Sequence, residues 1–340
     1  MITASVHPRQ LEPQSWQQEL AAAITSPEEL AAALGLSPRA FSGAIAAGRH
    51  FGLRVPRSFV ARMRPGDLND PLLRQILPVD AELADEAEYV ADPVGERSAQ
   101  RAPDLLQKYH GRALLITTPT CGVHCRYCFR REFPYAEQSG DGPRWRGALA
   151  AIAADASLEE IILSGGDPLS LSNARLDNLT RTLAAIPHVR RLRVHTRQPV
   201  VLPSRVDEGL LQWLRTSRLP VVMVLHVNHP NELAADLIAA CARLRATGIT
   251  LLNQSVLLAG INDDSEVLAD LSRRLFDAGV LPYYLHALDR VRGAAHFAVP
   301  DERAQTLAAQ LAAQLPGYLV PRLVREVPGA AAKVPLGAAI

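Results

Sequence analysis

The chain has 340 residues, 48% of them hydrophobic, enough to bury one large core or a main domain with a smaller one beside it. A formal net charge of +1 and an aromatic content of 5% argue against a nucleic-acid partner, which calls for a basic excess or stacking platforms. Residues 1–20 lack the apolar core of a signal peptide, and runs such as LPVVMVLHV are far too short to cross a bilayer, so a cytoplasmic protein with no membrane partner is expected. Three of the four cysteines fall within eight residues, which in a reducing compartment points to a metal or redox site before a disulfide.

Residues 1–90 read as a separate helical region. Ser26-Pro-Glu-Glu29 signals a helix start, with Ser26 as N-cap, Pro27 at the first position and Glu29 reaching back; Leu30, Ala33 and Leu34 continue it and Gly35 ends it. Arg64-Pro-Gly-Asp-Leu-Asn-Asp-Pro is rich in turn formers. Residues 91–112, opening on Ala91-Asp-Pro-Val-Gly-Glu96, read as a linker into the next domain.

From residue 113 to 300 the pattern changes. Apolar, β-branched runs begin at 113, 159, 190, 220, 250 and 281, so their starts lie 46, 31, 30, 30 and 31 residues apart. A strand, a helix and two connections need about 30 residues, which makes these βα units. Nearly continuous apolar strands imply parallel pairing with both faces covered. Amphipathic stretches such as ARLDNLTRTLAAI and NELAADLIAACARLRATG supply the helices, the second stopping at Gly248. Six units fall short of a complete eight-unit barrel, so the expected fold is α/β: a partial, open (βα)6 barrel with its chemistry at the carboxyl ends of the strands. Residues 301–340 add a helix (DERAQTLAAQLAAQL), a strand (RLVREV) and a short Ala/Gly-rich tail.

The long first interval holds a loop that leaves the first strand and carries Cys121-Gly-Val-His-Cys125-Arg-Tyr-Cys128. Three thiolates at this spacing suit three irons of a [4Fe–4S] cluster and leave the fourth open to a non-protein ligand. A structural zinc site wants four protein ligands. Cys241 lies in a helical stretch that reads as core, and His124 is poorly placed to serve. The second strand ends in Ser164-Gly165-Gly166-Asp167-Pro168, where two missing side chains let backbone approach a ligand and a carboxylate can meet an ammonium.

The cysteine loop on the first strand of six resembles that of the radical S-adenosylmethionine superfamily. That resemblance implies that S-adenosylmethionine chelates the open iron and yields a 5′-deoxyadenosyl radical, with Gly165, Gly166 and Asp167 at its methionine amino group. The tail Val327-Pro-Gly-Ala-Ala-Ala-Lys333-Val-Pro-Leu is similar to the pyridoxal-phosphate lysine segment of the lysine 2,3-aminomutase family, with alanines in place of glycines. Asp70-Pro-Leu-Leu-Arg-Gln, Asp92-Pro-Val-Gly-Glu, Cys-Arg-Tyr-Cys-Phe-Arg-Arg, Asn228-His-Pro-Asn-Glu and Asn253-Gln-Ser-Val-Leu-Leu-Ala-Gly-Ile-Asn-Asp extend the likeness over most of residues 64–340. The resemblance implies that Lys333 carries pyridoxal 5′-phosphate, that Lys108 contacts its phosphate, and that Arg130 takes the substrate carboxylate. It places His226 and Gln254 in segments lining the S-adenosylmethionine site. Asp289 matches one aspartate for the side-chain ammonium, and Glu326 stands where the family has a second.

By the same resemblance the reaction moves the amino group of free lysine from the α- to the β-carbon, and an electron donor such as flavodoxin or ferredoxin primes the cluster. The chain ends seven residues after Lys333, and this compactness, with Arg54-Val-Pro-Arg-Ser-Phe-Val-Ala-Arg-Met-Arg-Pro-Gly-Asp, looks like the branch that makes β-lysine for elongation factor P. That implies a functional link to a ligase acting on the factor. Ornithine or arginine is a rival substrate; two carboxylates disfavour glutamate. A non-catalytic iron–sulfur or zinc protein is the rival of a different class, and it has no use for Gly-Gly-Asp or Lys333.

Overall fold

In the computed structural model the described residues are 15–37, 41–135 and 145–337. The first fourteen residues of the helical region and the last three of the tail lie outside them. Each apolar run becomes a strand: β3 (Arg112–Thr118), β4 (Glu160–Gly165), β5 (Arg191–Thr196), β6 (Val221–Leu225), β7 (Thr250–Val256) and β8 (Leu281–His286) pair in that order, all parallel. The C-terminal run forms β9 (Arg322–Arg325), a further parallel partner of β8. Helices 146–154, 173–184, 208–216, 235–245, 265–277 and 301–314 fill the intervals.

Antiparallel strands extend both ends of the sheet. Before β3 come β1 (Gln100–Ala102) and β2 (Leu105–Tyr109), within the stretch that reads as a linker; after β9 comes β10 (Val334–Pro335). The strand order runs from β1 to β10 without closing on itself, so the barrel is open. Alternation sets the two faces. Ala113, Leu115, Ile161, Leu163, Leu192, Val194, Val221, Met223, Leu225 and Leu251 pack outward into one core with the helices. The residues between them, including Ser164, His195 and Gln254, line the lumen.

The N-terminal region has its own core of Trp16, Leu20, Ile24, Leu30, Phe59, Leu72, Leu73 and Ile76, which reaches Val123 in the cysteine loop and Val201 beyond β5. Ser26 caps the helix Pro27–Ala33 by accepting from the Glu29 N–H, and Gly35 adopts a positive φ of 63° just past its end. The Glu29 side chain does not reach back. It pairs with Arg57, because a guanidinium is a stronger partner than an exposed backbone N–H. No helix among the described residues is long and apolar enough to cross a membrane.

Candidate active site

The loop leaving β3 places Cys121, Cys125 and Cys128 half-buried on one turn, with the Cys128 N–H donating to the Cys125 carbonyl at 3.0 Å. Burial, then the neighbouring thiols, pushes Cys121 well above the usual thiol range and Cys128 up to about 11. Among the described residues no three His, Cys, Asp or Glu side chains form a ready-made ion site. The donor set nonetheless fits an iron–sulfur cluster: crowded thiols that oppose one another's ionisation are stabilised as thiolates by a cationic centre. His124 stacks on Phe51 with ring centroids 5.1 Å apart, and its Nδ1 lies 2.8 Å from the Gly52 carbonyl oxygen, turned away from ligand duty. Cys241 is wholly buried in the main core.

The N-terminal region braces this loop. Glu82, buried, accepts from Arg126 at 2.8 and 2.5 Å and from Arg131 at 2.6 Å. Both guanidiniums lie over the Phe51 ring, at 4.8 and 5.0 Å. The Arg126 N–H donates to the Gln75 carbonyl and the His124 N–H to the Arg54 carbonyl.

At the exit of β4, a Cβ on Gly166 would stand 2.5 Å from the Thr120 carbonyl oxygen, and one on Gly165, at φ 110°, would meet Ile116. Close approach of the β3 exit therefore already requires both glycines. Asp167 is buried, and its carboxylate accepts from the Leu169, Arg197 and Gln198 N–H groups and the Thr196 hydroxyl. It straps the β4 exit to the β5 exit.

Tyr127, inside the cysteine motif, is buried and stacks on His226, and its hydroxyl lies 3.2 Å from His226 Nε2. Burial, then the Arg197 charge, keeps His226 neutral, well below the usual histidine range. Gln254 is half-buried on the lumen face of β7, while its neighbours Asn253 and Ser255 bond the Val227 backbone behind the strand.

A second group gathers across the open side of the barrel. Glu326 Oε1 accepts from Lys108 on β2 at 2.7 Å, and Oε2 accepts from Lys333 at 2.6 Å. The β9–β10 hairpin pairs Arg325 with Val334, which sets Glu326 opposite Lys333. Burial alone would raise the Glu326 carboxyl, but the Lys333 and Lys108 ammoniums outweigh it and hold it at about 2. Asp289, just past β8, is pushed up to about 7 by burial and then by Glu326, against the pull of Lys333 and Lys108. It accepts no side-chain hydrogen bond among those described.

Arg130 lies between the two groups. Its Nε and Nη2 donate to Glu96 at 2.8 and 2.6 Å, and its Nη1 donates to Ser164 Oγ and the Gly165 carbonyl. The fork expected for a substrate carboxylate is thus engaged by Glu96, which the Asp92 carboxylate positions by accepting its N–H at 2.8 Å. One N–H of Nη2 is left over.

Sequence reasoning missed Glu96, Glu82, Arg197, Tyr109 and two lumen histidines. His286 is pushed down to about 3 by burial and then by Lys333; His195 Nε2 is buried without a partner among the described residues. The Tyr109 hydroxyl is likewise buried and unpartnered, and burial, then Glu326, raises it to about 12. Glu96 and Arg131 sat in segments already recognisable by their residues, but nothing local marks a side chain whose partner is 34 or 49 positions away.

An open parallel barrel, a three-cysteine loop on its first parallel strand and a tight glycine exit on the next define a radical S-adenosylmethionine enzyme. No protein-family model matches the chain. It is 47% identical to the L-lysine 2,3-aminomutase of Escherichia coli (strain K12) over 95% of this chain and 94% of that one. It is 45% identical to the L-lysine 2,3-aminomutase of Haemophilus influenzae over 94% of each chain, and 33% identical to that of Clostridium subterminale over 94% of this chain and 77% of the relative. The chain belongs to the lysine 2,3-aminomutase family, intramolecular isomerases of the radical S-adenosylmethionine type.

Proposed function

We propose that this enzyme converts free L-α-lysine to β-lysine, using a [4Fe–4S] cluster, S-adenosylmethionine and pyridoxal 5′-phosphate. The observation that carries the reading is the Lys108–Glu326–Lys333 bridge beside Asp289, facing a three-cysteine loop across one lumen. Cys121, Cys125 and Cys128 hold the cluster, and Lys333 anchors the coenzyme, with Lys108 for its phosphate. When bound, the cluster and S-adenosylmethionine supply hydrogen abstraction, and the coenzyme supplies a covalent carrier for the migrating nitrogen.

The chain's own groups orient the substrate. Asp289 meets the ε-ammonium. Glu326, which accepts from Lys108 and Lys333 in this structure, would supply the second carboxylate facing the same ammonium. Arg130 offers its remaining N–H to the carboxylate, while its Glu96 pair fixes the orientation of that N–H. His226, Gln254 and the Gly165–Asp167 turn line the cluster side. The Val90–Val291 bridge and the approach of Pro328 to Gly95 tie the segment before β1 to the C-terminal side of the barrel. The resemblance carried by the segment Arg54–Asp67 supports a role in supplying β-lysine to a ligase for elongation factor P. A low-potential donor such as flavodoxin or ferredoxin serves the cluster.

The Asp289 carboxyl gives a pH test. A cation binds its ionised form, so lysine affinity rises as pH climbs from 6 through about 7 and levels off above it, the ammonium staying charged throughout. Asp289→Asn should weaken lysine binding by about 30-fold or more, the effect of about 2 kcal/mol for a lost buried charge pair. It should also flatten that pH dependence while cluster and coenzyme content stay normal. Titrating lysine into the coenzyme-loaded protein and following the visible spectrum measures both; unchanged affinity in Asp289→Asn removes the basis for lysine as substrate.

A further inference from the structure

A buried guanidinium backs the cysteine loop. Arg197 directly follows β5, and its backbone N–H is fixed by Asp167 Oδ2 at 2.7 Å. Its Nη1 donates to Cys125 Sγ at 2.8 Å and to the Tyr127 hydroxyl at 2.5 Å. Its Nη2 donates to Gln75 Oε1 at 2.6 Å and to Glu232 Oε2 at 3.0 Å. Glu232 is wholly buried, and its other oxygen accepts from the Asn228 and His229 N–H groups and from Gln75 Nε2. Asn228 Nδ2 donates in turn to the Tyr127 hydroxyl. Four parts of the chain meet here: the N-terminal region, the cysteine loop, the β5 exit and the β6 exit. The guanidinium therefore has one fixed orientation, with an edge aimed at a sulfur.

A charge held against a cluster sulfur acts on the cluster's redox equilibrium, because hydrogen bonds and net charge at the sulfurs set its potential. We propose that Arg197 is a positioning residue that raises the reduction potential of the cluster held at Cys125, and that Glu232 sets how much of its charge the cluster feels. The proposal rests on the cluster reading given above. In the step it serves, one electron leaves an external low-potential one-electron donor, which is oxidised, and enters the cluster, which is reduced. No bond to Arg197 forms or breaks. Arg197 favours the more negative, reduced state; Glu232 offsets that preference.

The test is a redox titration of the full-length protein, reconstituted with iron and sulfide under anaerobic conditions and followed by electron paramagnetic resonance. Arg197→Met should lower the reduced-to-oxidised ratio at a fixed poise by about tenfold, ~59 mV for a one-electron couple, and Arg197→Lys should fall between it and the parent. Glu232→Gln should move the ratio the other way. A purely structural network would send both substitutions in one direction, as loss of iron or as a common shift, and that result overturns the proposal. So does an unshifted potential in Arg197→Met with normal iron content. Should Arg197→Met fail to retain iron, Glu232→Gln decides: an upward shift supports the proposal, and no shift or a downward one overturns it. A parent protein with no iron–sulfur signal overturns the cluster reading itself, a result distinct from all of these.

Discussion

Alanine at Cys121, Cys125 or Cys128 abolishes iron retention and reductive cleavage of S-adenosylmethionine, while Cys241→Ala leaves both unchanged. The three loop thiols are the donors that the fold gathers on the first parallel strand, and each is half-buried against its neighbours. With one ligand of three lost, only two protein bonds would be left to hold a cluster, and burial, which pushes the Cys121 and Cys128 thiols upward, opposes ionisation of the donors that remain of that pair. The expected fall in S-adenosylmethionine cleavage exceeds a thousandfold, or about 4 kcal/mol at the barrier. Cys241 sits in the helix Ala235–Arg245 and faces the outer core, so its loss trims a small apolar contact. Iron and sulfide analysis with a cleavage assay measures the set; full cleavage by Cys125→Ala is incompatible with the assignment.

Lys333→Ala abolishes covalent coenzyme attachment and lysine turnover, with cluster content unchanged. The Lys333 amine is held by Glu326 on a hairpin at the open side of the barrel, with Tyr284 beneath it at 5.8 Å. A Schiff-base anchor has no substitute in an alanine, so turnover should drop at least a thousandfold. The same change leaves Glu326 with Lys108 alone, and its carboxyl should climb from about 2 toward the ordinary range. Borohydride reduction followed by peptide mapping places the coenzyme; a label on Lys108 instead of Lys333 reverses the roles of the two lysines.

The barrel was legible in the sequence because its signal is local. Runs starting at 113, 159, 190, 220, 250 and 281 match strands that start at 112, 160, 191, 221, 250 and 281. The cysteine loop, the glycine exit and the Glu326–Lys333 spacing were legible for the same reason. What escaped depended on partners distant in sequence. QRAPDLLQKY has no apolar run, yet β1 and β2 form there because β3 offers an edge to pair with. Two-residue β10 exists only through its register with β9. The place of Asp167 in Gly-Gly-Asp points to a ligand contact; that its carboxylate also takes four internal donors, from its own turn and from the β5 exit, no spacing rule reveals. Arg130 reads as a fork for the substrate carboxylate, and its sequence neighbours say nothing of Glu96, its partner in this structure.

Lysine amino migration at a joint cluster and coenzyme site is tested by anaerobic incubation of the protein, loaded with iron, sulfide, pyridoxal phosphate, S-adenosylmethionine and a low-potential reductant, with lysine, ornithine or arginine in separate vessels and product analysis by mass spectrometry and NMR. β-Lysine forming from lysine, faster than any product from ornithine or arginine, is the predicted result. S-Adenosylmethionine cleavage with no β-lysine, or faster conversion of ornithine or arginine, contradicts it.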